Sequence, residues 1–286
     1  MGLLALLAVV LAITATALLA KYAARRGVPS LDLSTSLFGF GALLGGIVLW
    51  REGAPGVTTH AFVVASLAGV GGALAVWTFN SAVRAGHFGF SNAIYRSAFL
   101  LPVVFSVLFL GVPLDRLKAA GIACILAGVF LMSQAGAPGT GNSGEKPKAR
   151  GRWIVLILLA FLFSGGPRIG QLLTSAARDN GFVYLFLSYL AGALVLLALL
   201  VRRGGFHLEA LPWGAGAAAA SYAGVFCTLE ALRTLTPHVV YPISLSAPIV
   251  LGLACSRGLF RERIAPRGAL GALLAIAGIL ILALGK

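Results

Sequence analysis

The chain has 286 residues, of which 59% are hydrophobic and 10% are charged, and its formal net charge is +14. A water-soluble domain carries about 25% charged residues and could not bury this much apolar surface in one core, so the composition excludes an ordinary soluble protein. The basic residues lie in short links between apolar runs, which favours contact with membrane lipids and argues against a nucleic-acid partner.

Ten apolar runs follow one another along the chain. About 20 apolar residues are needed to cross the hydrocarbon core of a bilayer as a helix. In chain order, the runs cover residues 2–24, 33–50, 61–83, 90–110, 117–134, 153–177, 182–201, 211–232, 239–260 and 264–284. The sequence therefore predicts an all-α membrane protein with ten transmembrane helices.

The helix pattern repeats after 150 residues. This shift places Gly121 on Gly271 and Gly128 on Gly278. Residues 1–134 form one predicted five-helix repeat and residues 152–286 form the other. The linker 135–151, rich in Gly, Pro, Ser and Lys, separates them. Because each repeat has an odd number of helices, we expect the second to insert upside down, giving two inverted five-helix repeats.

The ends of both halves carry a shared pattern of proline, corner and glycine-rich last helix. Its residues are Pro102, Leu110-Gly111, Gly121 and Ala127-Gly128 in the first half, and Pro248, Leu259-Phe260-Arg261-Glu262, Gly271 and Ala277-Gly278 in the second. The pattern resembles the EamA-type branch of the drug/metabolite transporter (DMT) superfamily. The first half departs from it at Val112, where the corner acid would stand, with Asp115 nearby.

The resemblance implies a ten-helix fold, a central cavity lined by helices 1, 3, 4, 6, 8 and 9, and alternating access. It implies a secondary transporter in a bacterial inner membrane that exports a small-molecule substrate. The basic and aromatic candidates below favour an organic anion, a zwitterion or an amino acid. No nucleotide-binding motif is present, so we expect an ion gradient or exchange to drive transport.

Arg168 is the first candidate substrate-binding residue, because a charge inside a span is costly and marks a functional site by default. It directly follows Gly165, Gly166 and Pro167, which predict a helix break. A broken helix beside a cation could bind a carboxylate or phosphate. The alternative is a simple kink, with Arg168 paired to Glu230 or capping carbonyls.

Glu230 is the second candidate, and it corresponds to Asn80 under the 150-residue shift. A carboxylate buried in a span could bind a proton in exchange for substrate, so Glu230 is the proton-coupling candidate and Asn80 a substrate-binding one. Alternatively, Glu230 is an interfacial acid or a structural partner of an arginine, with Arg96, Arg168 and Arg233 all open.

Five further residues are candidates for the substrate site. Arg96 lies inside the fourth span and could bind an anionic group, or it could snorkel to the membrane surface. The others are Tyr95, Trp77, Tyr241 and Ser244. For Trp77, Tyr241 and Ser244, each taken alone, helix packing or an interfacial aromatic belt is the preferred explanation.

No cofactor or metal is expected. The glycine-rich stretch 139–144 fits the spacing of a dinucleotide-binding loop, but it follows a helix instead of a strand. His60, His87, His207 and His238 lie near run ends without metal-ligand spacing, so we interpret them as interfacial residues.

Several alternatives stay open at this stage. Gly41 and Gly45 form a small-residue face that could pack helices within a monomer or across a homodimer. Charge counting places both termini outside the cytoplasm, whereas the family resemblance places them inside. A non-catalytic assembly or lipid-handling protein, or less readily an intramembrane enzyme, remains an alternative to the transporter.

Overall fold

The computed structural model describes residues 2–53, 55–85, 94–95, 97–135, 147–260 and 266–284. Within these residues the chain is helical and contains no strand. The α-helices with bounds inside the described residues are α1 (Gly2–Arg25), α2 (Ser30–Arg51), α3 (Thr59–Ala85), α4 (Leu100–Leu110), α5 (Arg116–Ala135), α6 (Pro147–Ala176), α7 (Gly181–Arg203), α8 (Ala210–Leu232), α9 (Pro237–Phe260) and α10 (Pro266–Leu284). A 3-10 turn, Ser97–Phe99, leads directly into α4.

Polar side chains accept hydrogen bonds from the first backbone N–H groups of three helices. The Asn180 Oδ1 accepts the Phe182 N–H at 2.8 Å before α7, and the Asp115 Oδ1 accepts the Lys118 N–H at 2.7 Å before α5. The Thr58 Oγ1 accepts the Ala61 N–H at 3.0 Å before α3. These bonds satisfy backbone donors that the first turn of a helix leaves without partners, and so fix where each helix begins.

Six of the described helices are long and apolar enough to cross a membrane: α1, α2, α3, α6, α7 and α8. Two shorter apolar stretches coincide with α4 and α10. Large apolar side chains face outward from the six long helices: Trp50 on α2 is 77% exposed and Leu67 on α3 is 67% exposed. Such surface is favourable in lipid and unfavourable in water. The chain is a multi-pass integral membrane protein, and the count of ten crossings stays a prediction.

Helices separated by 150 residues have matching bounds. Helix α2 spans Ser30–Arg51 and α7 spans Gly181–Arg203, while α5 spans Arg116–Ala135 and α10 spans Pro266–Leu284. Helix α6 begins at Pro147, so residues 147–151 of the expected linker are helical. Proline suits this first helical position, where its missing N–H would have no partner anyway.

The matching helices α2 and α7 pack against each other in opposite directions. Near the end of α2, a Cβ on Gly45 would stand 2.9 Å from the Phe186 Cα, near the start of α7. Earlier in α2, the Phe38 ring lies 5.6 Å from the Tyr189 ring, centroid to centroid. Gly41 faces the same tyrosine ring. The small-residue face therefore packs within the chain.

The matching helices α5 and α10 are also antiparallel. A Cβ on Gly121 would stand 3.1 Å from the Leu282 side chain, and one on Gly128 would stand 2.7 Å from the Ala275 backbone nitrogen. Only glycine allows the two backbones to approach this closely. The start of α5 thus lies beside the end of α10.

Two further pairs repeat each other across the halves. Helix α1 packs along α8, where a Cβ on Gly224 would stand 3.3 Å from the Ala12 Cβ. Helix α3 packs along α6, where a Cβ on Gly71 would stand 3.1 Å from the Phe163 oxygen. Adding 150 to Ala12 and subtracting 150 from Gly224 gives positions 162 and 74, within one helical turn of Phe163 and Gly71. Equivalent helices make equivalent contacts.

The chain divides into two compact units. Unit 1 comprises Met1–Val76 and Phe163–Leu235, and unit 2 comprises Trp77–Leu162 and Thr236–Lys286. Each unit therefore takes segments from both sequence halves. Helices α1, α2, α7 and α8 belong to unit 1, and α4, α5, α9 and α10 belong to unit 2.

Candidate functional site

Arg168 lies on α6 within unit 1, inside a segment that is long and apolar enough to span a membrane. Eight residues separate it from the helix end at Ala176, which is about 12 Å along the axis. Its guanidinium is half-buried and donates to the Ser164 carbonyl oxygen, one turn earlier. The cation is thus held against its own helix, inside a candidate membrane-spanning segment.

Other polar side chains share the face of α6 that carries Arg168. Ser164 and Gln171 lie four residues before and three residues after it, and both are buried. Residues at these spacings lie above one another on a helix. Thr174 is buried as well, and its Oγ1 has no hydrogen-bond partner. The last three turns of α6 therefore carry polar groups into unit 1.

Helix α6 remains α-helical through Gly165, Gly166 and Pro167, with the proline inside it. The chain does not unwind at this point as the sequence suggested. Because proline has no N–H, it leaves the Phe163 carbonyl without its usual partner in the helix. That oxygen faces α3, 3.1 Å from where a Cβ on Gly71 would stand. The glycines serve a close helix crossing here, because Gly166 also faces Gly71.

Helix α7 holds the proline turn from the other side. The buried Tyr184 donates its hydroxyl to the Pro167 carbonyl oxygen at 2.7 Å. A Cβ on Gly170 would stand 3.1 Å from the same hydroxyl, so Gly170 leaves room for the tyrosine. Pro167 and Arg168 therefore lie on a segment that both α3 and α7 position.

A second polar cluster joins α7 and α8. The Tyr189 hydroxyl and the Ser221 hydroxyl are 2.7 Å apart, and the Tyr189 and Tyr222 rings stack at 6.1 Å. The Tyr222 hydroxyl is buried and has no hydrogen-bond partner. A buried polar atom without a partner is unfavourable, so Tyr222 needs a structural or functional explanation.

Glu230 lies in the last turn of α8, in unit 1. Its Oε1 is 2.7 Å from the Arg233 guanidinium, and its side chain is 38% exposed. Arg233, three residues along the chain, is one of the three arginines that sequence left open, and it contacts Glu230; Arg96 lies outside the described residues. An ion pair with an arginine was one of the alternative interpretations, and this contact does not test a role in proton coupling.

Four of the predicted residues whose side chains the structure describes lie in unit 2. Trp77 is 42% exposed, whereas Tyr241 is 1% exposed. The Tyr95 ring packs on Phe79 with centroids 4.5 Å apart. The buried Ser244 donates its hydroxyl to the Tyr241 carbonyl at 3.2 Å, within α9. Helix packing accounts for the described contacts of Tyr95 and Ser244.

A comparison with models of protein families identifies the family. The model of the EamA-like transporter family matches the chain twice, over residues 1–134 and 151–284. The chain belongs to the EamA-like transporter family. This family is part of the DMT superfamily, so the resemblance seen in the sequence is confirmed.

A solved structure shares the fold of this chain. One crystal structure covers 99% of this chain and 99% of its own, with a TM-score of 0.78 at 18% identity. At this identity the likeness concerns the fold alone. Among curated proteins, no sequence relative matches this EamA-like chain.

Some predicted residues of this EamA-like chain lie outside the described residues. They are Arg96, His87 and Glu262. Asn80 lies in α3, and its side chain is also outside the description. Their proposed roles remain predictions. Among the residues that the structure does describe, no group of three His, Cys, Asp or Glu side chains could hold a metal ion.

Two acids, Asp32 and Asp179, are absent from the predicted site residues of this EamA-like chain. Each lies within three residues of the start of a matching helix, α2 or α7, and each contacts a histidine. Asp179 corresponds to position 29 under the 150-residue shift, so the internal repeat is the sequence signal that relates the two acids. The sequence predicted His60 and His207 only as interfacial residues, because their partners lie far away along the chain.

Proposed function

We propose that this EamA-like chain is a secondary transporter of a small metabolite, and that the polar face of α6 forms part of its substrate site. The observation that carries the proposal is Arg168, a half-buried cation inside a predicted span. A central arginine costs about 2.5–3.5 kcal/mol on insertion scales. Function is the simplest reason to retain it.

The chemistry of Arg168 favours a substrate with a carboxylate or phosphate group. A guanidinium presents several donors in a fixed plane and can bind such a group through two hydrogen bonds. Ser164 and Gln171 lie on the same face and could bind further polar atoms. We therefore propose an organic anion, a zwitterion or an amino acid as the substrate class.

The proposal includes an architecture of ten transmembrane helices in two inverted halves that work by alternating access. The antiparallel packing of α2 with α7, and of α5 with α10, supports inversion, because matching helices in halves of the same orientation would be parallel. Export and a bacterial inner membrane are also part of the proposal, on the strength of the family.

A transport assay with matched arginine variants tests the role of Arg168. Liposomes that contain the purified protein would be loaded with a labelled anionic, zwitterionic or cationic metabolite in turn. The exchange of this label for the same external metabolite would be measured. For the substrate that exchanges, Arg168→Gln should lower the rate at least about tenfold, because a charge-assisted hydrogen bond contributes about 1.5–3 kcal/mol. Arg168→Lys should be intermediate, because lysine keeps the charge without the fork.

Arg202→Gln is the control, because Arg202 is exposed in the last turn of α7, and its rate should be unchanged. Unaltered exchange of an anionic substrate by Arg168→Gln would remove Arg168 from the site. If no metabolite is exchanged and lipid copurifies tightly, the lipid-handling alternative would replace the transporter.

A further inference from the structure

Two aspartate–histidine contacts in unit 1 have no part in the proposed substrate site. In the first, the Asp32 Oδ2 on α2 is 2.6 Å from the His207 Nδ1 and accepts the His207 backbone N–H at 3.1 Å. The Asp32 Oδ1 accepts a 2.5 Å hydrogen bond from Arg203, at the end of α7. The Asp32 side chain is 0% exposed, while His207 is 63% exposed. A buried acid is thus tied to a histidine open to solvent.

The second contact joins α3 to the link before α7. The Asp179 Oδ2 is 2.5 Å from the His60 Nδ1, and the Thr58 hydroxyl lies 3.5 Å from the other carboxylate oxygen. Asp179 is 12% exposed and His60 is 47% exposed. The pattern is the same as in the first contact, an almost buried acid with a histidine that reaches water.

The two contacts are related by the internal repeat. Adding 150 to Asp32 gives position 182, and subtracting 150 from His207 gives position 57. Each result lies three residues, or about one helical turn, from Asp179 and His60 respectively. The internal repeat therefore maps the residues of one contact to within one helical turn of the residues of the other.

The contacts lie at opposite ends of the α2–α7 pair. Asp32 is in the first turn of α2 and Arg203 is the last residue of α7, whereas Asp179 directly precedes the N-cap of α7. Because these helices are antiparallel, their two ends are separated by the length of α2, which has 22 residues, or about 33 Å. That length matches the thickness of the hydrocarbon core.

We propose that Asp32–His207 and Asp179–His60 are two pH-responsive ties, one at each membrane surface, that each sense the pH of a different compartment. Histidine changes charge near neutral pH. A protonated histidine makes a charge-assisted bond to the carboxylate, and a neutral one makes a weaker bond. Each tie therefore tightens as its own compartment is acidified and loosens as that compartment becomes alkaline.

The surrounding charges make the two ties unequal. Arg203 keeps a permanent cation on Asp32 whatever the state of His207, with Glu209 two residues beyond the histidine. On Asp179, the described contacts are His60 and the uncharged Thr58, with Arg178 adjacent in the chain. The Asp179–His60 tie should depend more strongly on pH, because the described contacts of Asp179 include no arginine, so its interactions depend more on the charge of His60.

Histidine-selective NMR tests the sidedness. The chain has four histidines, so isotope labelling of histidine gives four signals, which His→Gln variants assign. The protein would be reconstituted in one orientation in liposomes, and the pH would be changed between about 5 and 8.5 on one side only. The His60 and His207 signals should move with opposite compartments. If both follow the same compartment, or neither moves, the proposal is wrong.

Thermal unfolding in detergent tests the coupling to stability. The apparent Tm of the unaltered protein should fall by about 2–4 °C as the pH rises through the histidine range. His60→Gln should remove most of this dependence and His207→Gln a smaller share. His238→Gln should steepen the fall, because burial lowers the pKa of the buried His238 and a lowered histidine pKa stabilises the fold as the pH rises. Equal pH dependence in the His60→Gln/His207→Gln double variant and in the unaltered protein would overturn the coupling. The sidedness is read by NMR on the unaltered protein, for which the variants serve only to assign the signals.

Discussion

The Tyr184 hydroxyl on α7 donates a 2.7 Å hydrogen bond to the Pro167 carbonyl oxygen on α6. Because the tyrosine is buried, Tyr184→Phe leaves that carbonyl without its side-chain donor. We expect a loss of about 1 kcal/mol, which should appear as a Tm lower by about 2–4 °C. Thermal unfolding in detergent, followed by intrinsic fluorescence, measures the shift.

Tyr222→Phe is the matched control, because the Tyr222 hydroxyl is buried without a partner. Removing an unsatisfied hydroxyl should leave the Tm unchanged or raise it. If both variants lose the same stability, the bond to Pro167 contributes nothing specific.

Gly128 on α5 should not tolerate a side chain. A Cβ there would stand 2.5 Å from the Gly271 oxygen and 2.7 Å from the Ala275 nitrogen, both of which are backbone atoms on α10. Gly128→Ala must push the two helices apart, and we expect a loss of about 1–3 kcal/mol. Gly39→Ala on α2 meets nothing within 4 Å and should stabilise its helix by about 0.5–1 kcal/mol. Thermal unfolding of both variants under the same conditions measures the difference. If Gly128→Ala were as stable as Gly39→Ala, the close packing of α5 on α10 would be contradicted.

Asp115 should stabilise the start of α5 in a pH-dependent way. The Lys118 backbone N–H, and then the Lys118 side chain, lower the pKa of the Asp115 carboxyl below its ordinary value of 3.8. A lowered pKa in the folded state means that the stabilisation is present above the ordinary value and is lost as the pH falls through the folded value. Asp115→Asn should therefore be less stable than the unaltered protein at pH 6, and the difference should close as the pH falls below 3.8 and through the lowered pKa of the carboxyl. A difference that persisted at low pH would show that the carboxylate charge is not its cause.

Glu230 can be tested for proton coupling once a substrate is known. We expect Glu230→Gln to change the pH dependence of exchange in liposomes, because it removes a titratable group from unit 1. Glu209→Gln is the control, since Glu209 is an exposed acid at the other end of the same helix. An unchanged pH profile in Glu230→Gln would leave only the ion pair with Arg233 as its role.

Sequence predicted helix positions well because spans end where charge begins. The run 33–50, which precedes Arg51, became α2, with an added first turn from Ser30. The sequence could not predict which helices pack against each other. Gly41 and Gly45 predicted close packing, but only the structure places α7 against them.

Distant partners also explain what sequence missed at the polar sites. Asp32 looked like an exposed acid at a helix start, and its burial depends on Arg203 and His207, which arrive some 170 residues later in the chain. The Gly165-Gly166-Pro167 stretch predicted a break, because local propensity does not reveal that α3 and α7 hold the turn helical.

The antiparallel pairing of matching helices has a consequence for biosynthesis. Helix α2 packs on α7 and helix α5 on α10, whose first residues lie about 150 positions later in the chain. When the ribosome has delivered the first five helices to the bilayer, these two still lack the neighbours that cover their glycine faces. The early intermediate must therefore stay in lipid, or beside an insertion factor, until α7 and α10 have been translated. A ribosome stalled after α5 should hold a nascent chain that proteases cut readily, and one stalled after α10 should hold a resistant chain.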